Sequence, residues 1–218
     1  MKTFLSIGTG PGIGLATAER FAREGFRVIL SARRADNTNA LVEQLKAKGY
    51  TAEALSVDAS EPANVAALVA TVEQQYGTID VLHYNAANLR QATLAAQPQD
   101  TLVGDLAVNI GGALGAVQAV APQMTQRRSG TILLTGGGFA LFPSADYISL
   151  SIGKAGVRTL TLGMFEALKE QGVHVASVTV ATFVTPGSKE ATDIGEAFWQ
   201  LHQETAGDWR AEVMYPAS

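Results

Sequence analysis

Seven residues near the N-terminus, Gly8-Thr9-Gly10-Pro11-Gly12-Ile13-Gly14, constrain what this chain can fold into more than any others. They follow a short apolar run, residues 3–7, that reads as a strand. They open residues 13–24, whose apolar side chains recur with helical period until Gly25 stops them. A strand that becomes a helix through glycines offers an anion free backbone N–H groups and the positive end of the helix dipole. Glycine is needed where such a backbone turns sharply or touches a pyrophosphate. The loop therefore reads as the phosphate cradle of a dinucleotide, with Gly8, Thr9, Gly12, Ile13 and Gly14 as the binding residues.

The rest of the chain continues the alternation. Residues 27–31, 52–57, 79–84, 131–135 and 173–180 read as strands, and 211–215 as a short last one. Residues 37–48, 61–76, about 100–126, about 149–171 and 190–203 read as helices, with a loop over 182–189. Strands alternating with helices predict an α/β fold: one Rossmann-type domain over residues 1–218, doubly wound, with a parallel sheet of six or seven strands and helices on both faces. The expected strand order is 3-2-1-4-5-6-7, with the cofactor across the carboxyl ends of strands one and four.

Composition narrows the function. Apolar residues make up 47% and charged residues 17%, the balance of a globular protein with a sizeable core. The net charge of −4 leaves no basic excess for nucleic acid or an anionic membrane. The chain has no cysteine, which excludes disulfides, thiol nucleophiles and cysteine-ligated zinc. His83, His174 and His202 show no metal-ligand spacing and read as structural or surface residues, so no metal is expected. The N-terminal apolar run is too short for a signal peptide, and no stretch reads as a membrane span. The expectation is a cytoplasmic protein acting on a small molecule.

Gly8, Gly12 and Gly14 follow the spacing GxxxGxG, and from Thr3 to about Val180 the chain resembles the short-chain dehydrogenase/reductase family. Asp58, in Val57-Asp58-Ala59, resembles the family's acid at the adenine amino group. Asn85-Ala86-Ala87 resembles its Asn-Ala-Gly, with Ala87 for the glycine. Asn109 resembles the helix asparagine that helps hold a proton-relay water, and Lys154 the lysine that binds the nicotinamide ribose. Ala181-Thr182 replaces the family's Pro-Gly, and the backbone of Val184 stands where the carboxamide would bond. Pro186-Gly187 begins the expected substrate lid. The resemblance also implies a homodimer or homotetramer, formed through the Gly/Ala-rich helix around 109–121 and the helix carrying Lys154.

The second strand ends in Leu30-Ser31-Ala32-Arg33-Arg34, with two guanidinium groups where NAD-binding folds place an acid. A carboxylate would repel a 2′-phosphate, whereas arginine grips it with charge-assisted hydrogen bonds. NADP(H) is therefore preferred, through Arg33 and Arg34; nearby Asp36 keeps NAD(H) open.

The resemblance implies a tyrosine four residues before the lysine, as proton donor, and a serine thirteen before that. This chain has Leu150 and Gly137 there. The remaining candidates beside Lys154 and Asn109 are Tyr147, seven residues before the lysine and about 10 Å along a helix axis, Ser151 at i−3, and Thr135 as a polarising hydroxyl. Phe183, Phe198 and Trp199 could wall an apolar pocket or pack in the core. Two functions follow: an NADP(H)-dependent oxidoreductase of a small carbonyl or alcohol with a non-standard proton donor, or a weak or inactive NADP(H)-binding sensor or regulatory subunit.

Overall fold

The computed structural model describes residues 1–217, the side chain of Ala35 excepted. The elements run β1 (Thr3–Ile7), α1 (Ile13–Arg23), β2 (Arg27–Ala32), α2 (Ala35–Ala47), β3 (Ala52–Ser56), α3 (Pro62–Tyr76), β4 (Val81–Tyr84), α4 (Gln99–Leu106), α5 (Gly112–Gln126), β5 (Thr131–Gly137), α6 (Ile148–Glu170), β6 (His174–Val180), α7 (Lys189–Gln203) and β7 (Glu212–Tyr215). Among the described residues seven parallel strands form one sheet, in the expected order β3-β2-β1-β4-β5-β6-β7. The order reverses at β1 and β4, which opens a crevice beyond their carboxyl ends.

The central strands are apolar on both faces because helices cover both. Alternate residues point to opposite sides. Leu5, Leu82, Ile132 and Val175 face α3, α5 and α6. Phe4, Val81, Leu133 and Ala176 face α1, α2 and α7. On that second side Phe21 stacks on Phe4 at 4.5 Å and meets Phe26 and Trp199 edge-on. Phe198 is fully buried there, so it and Trp199 belong to the core rather than to a pocket wall.

Glycines set how closely the first-side helices approach. A Cβ on Gly112 would overlap the Tyr84 hydroxyl and the Ala59 carbonyl. One on Gly153 would overlap Asn109, and one on Gly156 would stand 2.9 Å from Ile110. The helix expected over 100–126 is not uniform. A π-helical turn, Ala107–Gly111, joins α4 to α5 and carries Asn109. Such turns change the direction of side chains within a helix and recur at functional sites. Contrary to the sequence expectation, the 28 residues Gln99–Gln126 are long and apolar enough to cross a membrane by composition alone; half of their most apolar stretch is buried inside the protein, where it packs on α3.

The seam is testable. Gly112→Ala should destabilise the fold by about 1–3 kcal/mol, the usual effect of overpacking. Gly163→Ala, on an exposed stretch of α6 with nothing within 4 Å, should stabilise by about 0.5–1 kcal/mol. Urea unfolding midpoints check both, and equal effects would mean that the seam is not tight.

Candidate active site

A cleft of about 830 Å³ opens over the carboxyl ends of β1, β4, β5 and β6. Gly8, Thr9, Gly12, Ile13, Gly14, Arg33, Asn85, Thr135, Tyr147, Lys154 and Val184 all line it. Arg34, Asp58, Asn109 and Ser151 do not.

The glycine loop is shaped from below. Gly8 has φ +83°, and a Cβ there would overlap the backbone of Ala86. A Cβ on Gly14 would stand 3.0 Å from Thr9 Cα. Gly10 and Gly12 meet nothing within 4 Å. The Gly8 and Thr9 amides both donate to Ser31 O, at 2.8 and 2.9 Å, and the Thr9 hydroxyl donates to Ser6 O. These two residues therefore fasten the loop to the sheet. The amides that remain for an anion head α1, where the first turn has no intrahelical acceptor. This bare cradle at a helix N-terminus fits a dinucleotide pyrophosphate.

Arg33 is exposed and lines both the cleft and an adjoining cavity of about 500 Å³ that also includes Asp58. The Asp58 carboxylate accepts from the Ser60 hydroxyl at 2.7 Å and the Ser60 amide at 3.0 Å. Those bonds, with a smaller contribution from the Arg33 charge, hold its pKa below the usual carboxylate value. Arg34 stands at the N-terminus of α2, outside both cavities.

A chain of buried hydrogen bonds underlies the loop. Asn85 Nδ2 donates to Gly8 O at 2.9 Å, so Asn85 Oδ1 must face Thr135, whose hydroxyl donates to it at 2.9 Å. Thr135 Oγ1 lies 3.0 Å from His83 Nε2, and His83 Nδ1 lies 3.3 Å from Ser6 Oγ. With the threonine proton committed to Asn85, His83 donates through Nε2 and accepts at Nδ1. Burial pushes the His83 pKa down to about 3, with the Lys154 charge adding to the effect, so the ring is neutral. Nothing in the sequence marked His83: the chain depends on the register of three strands.

At the other end of the cleft Lys154 Nζ donates to Thr135 O at 2.7 Å, and burial pushes its pKa down to about 8. Leu150, one helical turn earlier, is buried and lines the cleft. Gly137 also lines it; a Cβ there would stand 3.1–3.3 Å from the Lys154 stem.

The alternative hydroxyls are differently placed. Tyr147 lies outside the helix, at its N-cap, with φ −137° and ψ 44°. The helical spacing assumed for it in sequence therefore does not apply; its ring is set by stacking on Phe139 at 5.3 Å. Ser151 Oγ donates to Tyr147 O at 2.9 Å and accepts from the Ser144 amide at 3.1 Å, closing the first turn of α6. The Thr135 hydroxyl is engaged in the buried chain. Asn109 is buried and bonds Asn88 through both ends of its amide, accepting from N at 2.6 Å and donating to O at 3.3 Å. Buried Asp105 accepts from Arg90, Asn88, Gln97 and Ser149, and so fixes the segment between β4 and α4. That cluster was not legible in the sequence either.

Residues 2–194 match the model of the family described as short chain dehydrogenase. The chain belongs to that family of oxidoreductases. It is 30% identical over 196 residues to a 3-oxoacyl-(acyl-carrier-protein) reductase of Staphylococcus epidermidis, covering 88% of this chain and 79% of that protein. It is 31% identical over 194 residues to an L-rhamnose 1-dehydrogenase (NAD(P)+) of Azotobacter vinelandii, covering 87% and 76%. A metagenomic short-chain oxidoreductase solved in complex with NADP superposes with a TM-score of 0.89 at 27% identity, over 98% of this chain and 95% of that one.

Buried His83 and His174 and half-buried His202 should make the stability of this short chain dehydrogenase fall in mild acid. Burial lowers the pKa of His83 to about 3, of His202 to about 4, and of His174 below its ordinary value. In the unfolded chain each binds a proton near pH 6.5. The stabilisation is therefore complete above about pH 6.5 and is lost as pH falls toward the folded values. His83 and His202 should each remove about 1.4 kcal/mol per pH unit between about pH 6 and 5, once the unfolded form is protonated, and His174 acts in the same direction. Urea unfolding between pH 7.5 and 5 checks this, and a flat profile would contradict it.

Proposed function

We propose that this protein is an NADP(H)-dependent oxidoreductase of a small, apolar carbonyl compound or alcohol, with proton delivery other than through the helix position that Leu150 occupies. One observation carries the reading: the phosphate cradle, Arg33 and Lys154 line a single cleft whose lining at position 150 is apolar. When bound, the nicotinamide supplies or accepts a hydride. The first turn of α1 would take the pyrophosphate. Arg33 would hold the 2′-phosphate by charge-assisted hydrogen bonds, and Lys154 would donate to the ribose. The Val184 backbone is available to a carboxamide. Among the described residues lining the cleft, the side chains that can release a proton to a strongly basic oxygen are Tyr147 and Lys154.

We further place the protein in the cytoplasm as a homodimer or homotetramer, paired through α5 and α6; exposed Leu114, Ile152 and Leu162 on those helices support this. The second reading, a binding protein without turnover, rests on Leu150 and Gly137. Tight NADPH binding with no NADPH oxidation on any carbonyl of a broad panel would select it.

Two variants test the reading. Arg33→Ala should weaken NADPH binding by about tenfold to a hundredfold, the loss of a charge-assisted hydrogen bond of about 1.5–3 kcal/mol, and leave NADH nearly unchanged. Equal losses by fluorescence titration would show that Arg33 does not read the 2′-phosphate. Lacking a general acid typically slows a reaction about 10²–10⁴-fold, so reduction of simple ketones should be slow. Leu150→Tyr should raise it. Adding Gly137→Ser should raise it further, because donor and polarising hydroxyl act as a unit; the new Cβ requires the Lys154 stem to shift slightly. A wild type that already reduces simple ketones at tens per second, unaffected by Tyr147→Phe, would overturn this account.

A further inference from the structure

We propose that the electron acceptor of this cleft is an uncharged, planar quinone. The inference rests on the reading above and names the substrate class of the same site.

Three observations converge. The first is the wall. Leu89, Phe139, Phe142, Tyr147, Leu150 and Phe183 line the cleft from separate segments. Leu89 and Phe142 are each 76% exposed and Phe183 is 78% exposed, so these large apolar side chains stand at the mouth rather than in either core. Stacked rings and exposed apolar side chains around one opening suit a flat apolar molecule.

The second is charge. Among the described residues, the charged side chains lining the cleft are Arg33 and Lys154, and no carboxylate joins them. Arg33 lies toward the adjoining cavity shared with Asp58. Lys154, beside Gly137 and Thr135, is the charge nearest the apolar wall. A neutral substrate that becomes an anion on reduction complements it.

The third is the proton. A ketone that accepts a hydride becomes an alkoxide, whose conjugate acid holds its proton about as tightly as bulk water does. It needs a donor held at that oxygen; position 150 offers a leucine, and the phenol that does line the cleft, Tyr147, stands outside α6 with its ring stacked on Phe139. A quinone that takes the hydride at one carbonyl oxygen gains an O–H bond and two electrons and becomes a hydroquinone monoanion, while NADPH loses its C–H bond and is oxidised to NADP+. The negative charge rests on a phenolate oxygen, with a pKa of about 10 like that of tyrosine. That oxygen can leave the cleft and take its second proton from water. Lys154, its pKa pushed down by burial but its ammonium still charged near neutrality, stabilises it meanwhile.

1,4-Naphthoquinone and 1-tetralone are bicyclic compounds of similar size, one a quinone and the other a ketone. With NADPH, and over the rate without protein, the naphthoquinone should be reduced at least about 10²-fold faster. Leu150→Tyr should narrow that ratio by raising the tetralone rate. Independently of turnover, calorimetric titration of naphthoquinone into the NADP+-saturated protein should show binding. Phe183→Ala and Phe142→Ala should each weaken it about threefold to tenfold, the value of one aromatic contact. Comparable wild-type rates for the two compounds, or no naphthoquinone binding to a protein that binds NADP+, would overturn the quinone inference and leave the cofactor reading standing. Failure to bind NADPH at all would overturn both. The wild-type rate ratio and the titration decide the matter even if Leu150→Tyr does not fold.

Discussion

The site depends on one run of hydrogen bonds that has a single sense. Gly8 O can only accept, so the Asn85 amide nitrogen faces it. Thr135 must then donate to Asn85, His83 must donate to Thr135, and Ser6 must donate to His83. Ser6, His83 and Thr135 lie on one face of the adjacent strands β1, β4 and β5. The chain thus couples the centre of the sheet to the loop that would hold a phosphate. Its inner bonds, Ser6–His83 and His83–Thr135, are buried, where an unmade one leaves a polar group without water and costs about 1–3 kcal/mol. A side chain that broke the run would loosen the phosphate loop without touching a ligand.

The same threonine links the two halves of the site. Its hydroxyl belongs to the chain under the glycine loop, and its carbonyl accepts from Lys154. Lys154 reaches it because α6 lies close against the π-helical turn. Gly153, next to the lysine, has no Cβ where Asn109 sits. The binding end and the chemical end are therefore held by one strand terminus.

Much of this was legible in the sequence. The parallel sheet followed from alternating patterns, its strand order from the doubly wound fold that they imply, and the loop from glycines whose need is local. Leu150 and Gly137 could be singled out by counting from Lys154, and both line the cleft, since a helix and a strand end both keep register. What escaped was set by tertiary contacts. His83 looked incidental because its partners are about 50 and 77 residues away in sequence. The orientation of Tyr147 could not be counted from the helix, which was expected from about 149 and begins at Ile148; a Phe139 stack sets the ring. Asn109 and Ser151 were read as chemical groups, but their polar atoms bond the neighbouring backbone. The apolar mouth drew only on Phe183 in sequence, because Leu89 and Phe142 arrive from loops with no periodicity.

Lys154 shows what this site is left with when a leucine stands one helical turn before the lysine. A buried ammonium is costly unless paired. Here a single carbonyl supports it, and among the described residues no carboxylate lines the cleft. Arg33 at the far end is also without a lining acid in that cleft. The cavity is therefore positively biased at both ends and apolar between them. Such a field favours anions at the ends whatever the chemistry: phosphate near Arg33 and the α1 terminus, and an oxygen gaining charge near Lys154. Binding thus draws on the charge and shape of the cleft, whereas protonation needs a donor at a fixed point, which a leucine at position 150 cannot be. The two demands are physically separable, so a substrate whose reduction needs the first and can dispense with the second would suit this cleft.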